Sequence, residues 1–490
     1  MKSYKILFLA GSQNLYGSAA LDVVNNNLRA IVEGLNASST ISCTIVYLPC
    51  LTDSGVIEKS ILMAENDPDC AGIITWMHTF SPSKMWISGL KRLTKPYLHL
   101  NTQYNRDIPW ETIDMDFMNL NQSAHGDREH GYIAARLGLP RKVIAGHWQD
   151  DRVRREIDVW MRAAVGALES NRLKILRISD NMRDVAVTEG DKIEAQIKLG
   201  WQVDHYGITD IENEMKSVSR VEAEAVFEEY SKDYLIDTDN IDSVKYQAKI
   251  EAAIKNFLEK NGYGAFHTNF QDLGALKQLP GLAVQNLMKK GFGFGAEGDW
   301  KVAALTRIMK LMSKGHQGGT SFIEDYTYHF EPGNEMLLGA HMLEVCPSIA
   351  DDKPKIQVHP LGIGDREPPA RAVFKAKAGK AIVASLVDMG YGLRMIVNDI
   401  ECQKQKNEIP HLPVASALWK PFPDLKTSAQ AWILSGAAHH SVLSYDLTAE
   451  HMRDFCEMKG IEFLHINKNT EILSYRKELE LSEFLWKNKK

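Results

Sequence analysis

The chain has 490 residues, 44% of them hydrophobic and 24% charged, with a net charge of −6. A single hydrophobic core does not grow to that length, so two or three domains are expected. The balance is that of a globular protein, and the acidic excess excludes a surface built to track a nucleic-acid backbone or an anionic membrane.

The first residues, MKSYKILFLAGSQN, place a lysine before an apolar run. The run is too short for a signal-peptide core and no small-residue cleavage pattern follows, so it reads as a first β-strand. No apolar span approaches transmembrane length. Six scattered cysteines without a C-x-x-C pair suit free thiols in a reducing cytoplasm better than disulfides or a zinc site.

Residues 1–172 alternate strand and helix. KILFLAG, TIVYLP, AGIITWMH and PYLHL read as strands, with helical patterns such as ALDVVNNNLRAIVEGL between them. That order predicts a parallel sheet whose ligands sit beyond the strand C-termini. The loops there, GSQNLYG and HTFSPSK, present Gln13, Tyr16 and Phe80. The polar and aromatic stretch 101–131 reads as a binding segment. Residues 173–325 repeat the theme, with strands LKILRIS, WQVDHYGI and YGAFHTN. Residues 326–490 differ: runs split by Ala-Gly and Met-Gly-Tyr-Gly predict antiparallel hairpins and a β-rich, barrel-like α+β domain.

GFGAEG, at 293–298, matches G-x-G-x-x-G letter for letter. A dinucleotide site needs a strand before the glycines, whereas LPGLAVQNLMKKG reads as a helix ending at Gly291. Glu297 inside the loop would also repel a pyrophosphate. Asp299 is expected to cap the next helix, on which Val302, Leu305, Ile308 and Met312 recur at helical spacing.

TSFIEDYTYHFE alternates like a strand. Phe322, Glu324, Tyr326, Tyr328 and Phe330 share one parity, so Glu324 is expected among four aromatic rings, where an ionised carboxylate needs a partner. In NEMLLGAHMLEVCP, His341 shares parity with Leu337, Leu343 and Val345. In AWILSGAAHHSVLSY, an extended chain would send His439 and His440 to opposite faces, so one of them serves a given site. Two carboxylates and two imidazoles make a mixed O/N set suited to manganese, iron or cobalt rather than calcium.

The chain resembles the L-arabinose isomerases. The likeness runs from GSQNLYG through HTFSPSKMWISGL, DMDFMNLNQSAHGDRE, GHWQD, DNMRDVAVT, EGDWK, GGTSFIEDYTYHF, HMLEVCPS and LPVASALWK to AWILSGAAHH, and weakens after Tyr445. It implies two Rossmann-like domains and a β-rich C-terminal domain. It implies that Glu297, Glu324, His341 and His440 hold one Mn2+ per subunit, with Co2+ or Fe2+ as substitutes, and that the two glutamates are the acid/base pair. Gln13, Tyr16, Phe80, Gln122, His125, Met182 and Phe270 then line the sugar pocket. The implied reaction is L-arabinose to L-ribulose through a cis-enediol, with D-galactose to D-tagatose as a side activity, in a cytoplasmic enzyme with no nucleic-acid or membrane partner. The implied assembly is a homo-oligomer, trimers pairing into hexamers, in which a neighbour's N-terminal domain closes the pocket. Two other readings stand beside it: an isomerase specific for L-fucose or D-galactose, and a non-catalytic sugar-binding protein on a two-domain scaffold.

Overall fold

Apolar runs within Met1–Leu168 form five parallel strands: β1 (Lys5–Gly11), β2 (Thr44–Tyr47), β3 (Cys70–Met77), β4 (Tyr97–Asn101) and β5 (Lys142–Ala145), in the order β2-β1-β3-β4-β5. All eight residues of β3 are buried, as a strand covered on both faces requires. The helix Gly17–Asn36 packs Val24, Leu28, Ile31, Val32 and Leu35 inward, a stripe at helical spacing. The computed structural model describes residues 1–488. It divides the chain into two units, Met1–Leu168 and Glu169–Lys490.

The second unit begins with another parallel sheet. Its strands are β6 (Lys174–Ile178) and β7 (Gln202–Tyr206), then, after β8 (Leu235–Ile236) in a separate small sheet, β9 (Ala265–His267) and β10 (Gly293–Gly295). The order is β10-β9-β6-β7. The strand order reverses between β6 and β9, and the loops leaving their carboxyl ends carry Met182 and Phe270. Gly293 and Gly295 are themselves part of the strand and do not follow one. The helix Leu282–Lys289 does precede it, and the strand between the two helices is three residues long. The glycines let the helix Trp300–Met312 press onto the sheet: a Cβ on Gly295 would lie 2.2 Å from the Asp299 carbonyl.

The remaining strands are β11 (Thr320–His329), β12 (Met336–Ala340), β13 (Lys355–Val358), β14 (Ala370–Val373), β15 (Gly379–Asp388), β16 (Leu393–Gln403), β17 (Ser416–Pro421), β18 (His440–Ser444) and β19 (Glu462–Ile466). β13 and β14 join β8 in the small sheet. The order β15-β18-β11-β12-β17-β16 closes through β15–β16 into a six-stranded antiparallel barrel, with β19 added parallel to β16. Closure leaves no unpaired edge in the ring. β11 lies wholly in the barrel, so Glu324 belongs to the barrel sheet and not to the central α/β segment. The fold class is the expected one, two parallel α/β sheets followed by a β-rich part.

Arg394 on β16 anchors β19 and the last helix. Its guanidinium donates to both carboxylate oxygens of Glu462 at 2.8 and 3.2 Å, to the Ser435 carbonyl and to Glu483. Arg394 and Glu462 are both fully buried. Among the described residues no helix is long and apolar enough to cross a membrane, and all six cysteines are free.

Candidate active site

Glu297 sits at the turn between β10 and the helix Trp300–Met312. Its φ is 57°, a left-handed conformation that costs a non-glycine residue roughly 1–2 kcal/mol. Neighbouring backbone holds it there: Met182 N donates to the Glu297 carbonyl at 2.9 Å and Gly298 N to the Thr268 carbonyl at 3.1 Å. Asp299 caps the helix, accepting from Lys301 N at 3.2 Å and Val302 N at 3.3 Å.

The barrel supplies the other groups. In its antiparallel register Glu324 on β11 lies opposite His440 on β18 and opposite Ala340 on β12, so His341 follows directly beside it. His341 Nε2 is 3.7 Å from Glu324 Oε2, and His440 Nε2 is 3.7 Å from Glu297 Oε2. The Phe322 ring lies edge-on to both imidazoles, at centroid distances of 5.0 and 5.3 Å.

Each of these histidines has a carboxylate behind it. His341 Nδ1 lies 2.5 Å from Glu344 Oε2, which also accepts from Leu343 N. His440 Nδ1 lies 3.2 Å from Asp299 Oδ2. The Nδ1 hydrogen therefore goes to the carboxylate, and the Nε2 lone pair faces the opposing glutamate. That orientation is the one metal-binding histidines adopt. His440 Nε2 is buried and makes no hydrogen bond of its own, an orphaned acceptor that a cation would satisfy. Burial pulls the His440 pKa below its ordinary value. Burial also works against protonated His341, but Glu344, then Glu324 and Glu297, overcome it and raise its pKa. Glu297 is held below the usual carboxylate range, chiefly by its hydrogen bond with His439.

Asp299 and Glu344 are sealed behind the histidines. Glu297 and Glu324 keep 18% and 21% of their side chains exposed, so they are the carboxylates of this cluster that a bound molecule can reach.

Two sequence expectations fail here. His439 does not face away from the cluster: its Nε2 is 3.5 Å from Glu297 Oε2 and its ring is 4.2 Å from that of His440. The extended run assumed for AWILSGAAHH is instead the helix Leu425–Leu434 and a turn through Gly436 (φ 73°), and β18 starts only at His440. Strand parity therefore does not reach His439. Glu297, His439 and His440 offer ligand atoms all within 4.8 Å of one another. Nor is Glu324 walled by four rings. The β11–β12 register shifts between Asp325 and Thr327, which breaks the alternation, and Tyr326, Tyr328 and Phe330 are exposed.

Of the other expected residues, Phe270 stacks on His341 at 6.0 Å and shares an apolar cluster with Met182 and Leu343. Gln13, Tyr16, Phe80, Gln122 and His125 all lie in the first unit. There the Phe80 and His125 rings stack at 4.8 Å, and the Tyr16 hydroxyl donates to Gln122 Oε1 at 3.4 Å. Gln13 is half-buried in the loop after β1. Asp127 ties the helix bearing His125 to the sheet, accepting from Met77 N and Asn101 Nδ2 and contacting His99 Nε2 at 2.8 Å.

Comparison with known proteins agrees along the whole chain. Three family models match in succession: the L-arabinose isomerase N-terminal domain over residues 1–172, the central domain over 174–315 and the C-terminal domain over 319–462. The chain is 55% identical to L-arabinose isomerase 1 of Bacillus licheniformis over 100% of its own length and 99% of that protein's. It is 54% identical to the L-arabinose isomerase of Bacillus subtilis and 52% to that of Geobacillus thermodenitrificans, each with the same coverage. The chain belongs to the L-arabinose isomerase family and is an aldose–ketose isomerase.

Proposed function

We propose that this family member converts L-arabinose to L-ribulose, with D-galactose to D-tagatose as a side activity, using a divalent cation held by Glu297, Glu324, His341 and His440. The observation that carries the metal reading is the pair of buried histidines whose Nδ1 atoms are committed to Glu344 and Asp299 while their Nε2 atoms face the two reachable glutamates. His439 has no such carboxylate behind it and its side chain is 36% exposed, which favours His440 over His439 as a ligand. Two carboxylates and two imidazoles suit Mn2+, with Co2+ or Fe2+ as substitutes. Such an ion supplies Lewis-acid stabilisation of charge developing on the sugar oxygens.

The chain's own residues handle the protons. Isomerisation takes a proton from C2 of the aldose and returns one to C1, while a hydroxyl proton passes from O2 to O1 through a cis-enediol. Glu297 and Glu324, both partly exposed, serve as the acid/base pair. Phe270 and Met182 provide an apolar wall beside His341 that keeps water from the cluster. The Phe80–His125 stack, Tyr16, Gln122 and Gln13 offer aromatic and hydrogen-bonding surface to sugar hydroxyls. We place the enzyme in the cytoplasm as a trimer or hexamer in which a neighbour's N-terminal segment completes the pocket. Mixing inactive His125→Ala and Glu297→Gln variants after dissociation tests that arrangement, and hybrids that stay inactive would refute it.

The test of the main reading is direct. Stripping the protein with a chelator should abolish L-ribulose formation, and Mn2+ should restore it. Glu297→Gln and Glu324→Gln should each remove turnover with the fold intact. Full activity after chelation, or near-normal kcat in either variant, would overturn it.

A further inference from the structure

Lys301 is fully buried, and its ammonium group is surrounded by four oxygens. It donates to three successive carbonyls, Val187 at 3.0 Å, Thr188 at 2.9 Å and Glu189 at 2.6 Å. Those bonds use all three of its hydrogens. The fourth oxygen is Asp299 Oδ1, an ion-pair contact at 3.3 Å. The other oxygen of the same carboxylate is the one that meets His440 Nδ1.

The three carbonyls belong to the loop that leaves β6, and that loop is fastened to the Glu297 turn at two more points. Asn181 Nδ2 donates to both the Thr188 and Gly298 carbonyls, at 2.7 and 3.2 Å. Met182 N donates to the Glu297 carbonyl. A lysine that merely filled space would not need to converge three backbone acceptors and a carboxylate on one nitrogen. This one joins the segment carrying Met182 to the carboxylate that aims His440.

We propose that Lys301 is a positioning residue for the metal site: an internal cation that fixes Asp299, and through it the His440 ring, while locking the loop 181–189 against the Glu297 turn. The idea rests on the metal reading above. Outer partners of metal-binding histidines typically change metal affinity by about 10–100-fold when removed. Lys301 stands one step further out, and its effect has to pass through Asp299.

The test is a Mn2+ titration of the full-length metal-stripped protein, with the visible spectrum of the Co2+-loaded form as a reporter of ligand geometry. Lys301→Met should weaken Mn2+ binding at least tenfold and alter the Co2+ spectrum. Asp299→Asn should do the same, and adding Lys301→Met to it should change the Kd by less than about twofold, because the two act on one path. A lower thermal midpoint of the apo variant is expected because three buried carbonyls each lose a donor, and it does not bear on the proposal. Lys301→Gln, whose amide keeps two hydrogens for those carbonyls, is read by the same limits if Lys301→Met does not fold. A Kd within twofold of wild type with an unchanged Co2+ spectrum would overturn the proposal and leave the metal reading standing. So would multiplicative effects of the two substitutions. Absence of saturable Mn2+ uptake by the wild-type chain would overturn both.

Discussion

Adding one methyl group at Gly295 tests how the fold aims the loop proposed to carry a catalytic glutamate. The backbone of β10 passes so close to the helix Trp300–Met312 that an alanine Cβ would lie 2.2 Å from the Asp299 carbonyl, 2.6 Å from Val302 Cγ1 and 2.9 Å from Ala303 N. Two of those three atoms are backbone, so no side-chain rotation relieves the clash. Reaching an ordinary separation of ~3.4 Å requires the first helical turn to retreat by about 1 Å. Overpacking of this kind costs about 1–3 kcal/mol. The retreating turn carries Asp299, and Glu297 is two residues away on the same tight bend. A displacement of that size in a catalytic group costs about 100-fold in rate. Gly295→Ala should therefore lower the thermal midpoint modestly and kcat/KM for ketose formation about 100-fold, assayed well below the midpoint. Gly460→Ala is the control: φ is 62° with nothing within 4 Å, so it should cost ~1 kcal/mol of stability and leave activity intact. If Gly295→Ala keeps kcat/KM within twofold of wild type, the close approach is not what aims the loop.

His440→Ala should raise the Mn2+ Kd at least 100-fold, whereas His439→Ala, with no carboxylate behind its ring, should raise it less than tenfold; equal losses in a Mn2+ titration would contradict the assignment. Burial pulls the His78 pKa down to about 4. The unfolded chain therefore takes up the proton between pH 6.5 and 4 while the folded chain does not, so stability is lost as pH falls through that window, by ~3 kcal/mol at its lower end. His78→Gln should flatten the denaturant-measured stability of the first unit across that range. Glu462→Ala removes the buried, two-point carboxylate partner of Arg394 and should cost about 3–5 kcal/mol, read as a lower midpoint for the barrel; a midpoint shift near zero would show that Ser435 and Glu483 suffice.

The fold was legible where burial dominates. AGIITWMH is apolar at nearly every position, and it became a central parallel strand; the Met-Gly-Tyr-Gly break became the β15–β16 turn of the barrel, and the Ala-Gly break marks where β15 begins. The site was legible only in part. Glu297 stood out because its carboxylate would repel the pyrophosphate that the glycine motif otherwise suggests. The groups behind the histidines were not visible, because Asp299 reads in sequence as a helix cap and the contact it makes spans 141 residues. Glu344 lies three residues from His341, but the turn that folds it back leaves no periodic signal. Alternation misled twice, at His439 because a helix and turn replace the assumed strand, and after Asp325 because one register shift reverses every later side chain.

The ring of strands also sets an order of events. β18 lies between β11 and β15, both of which come earlier in the chain, so its place in the ring has to stay open while more than fifty residues beyond β15 emerge. The same strand begins with His440. During synthesis the barrel cannot close, nor can the fourth expected ligand arrive, until that late segment is made. Such distant pairings form slowly, because the connecting loop must be ordered before any contact rewards it. Tight capture of the proposed cation would then mark a chain made past β18, and a shorter nascent one would compete poorly for it.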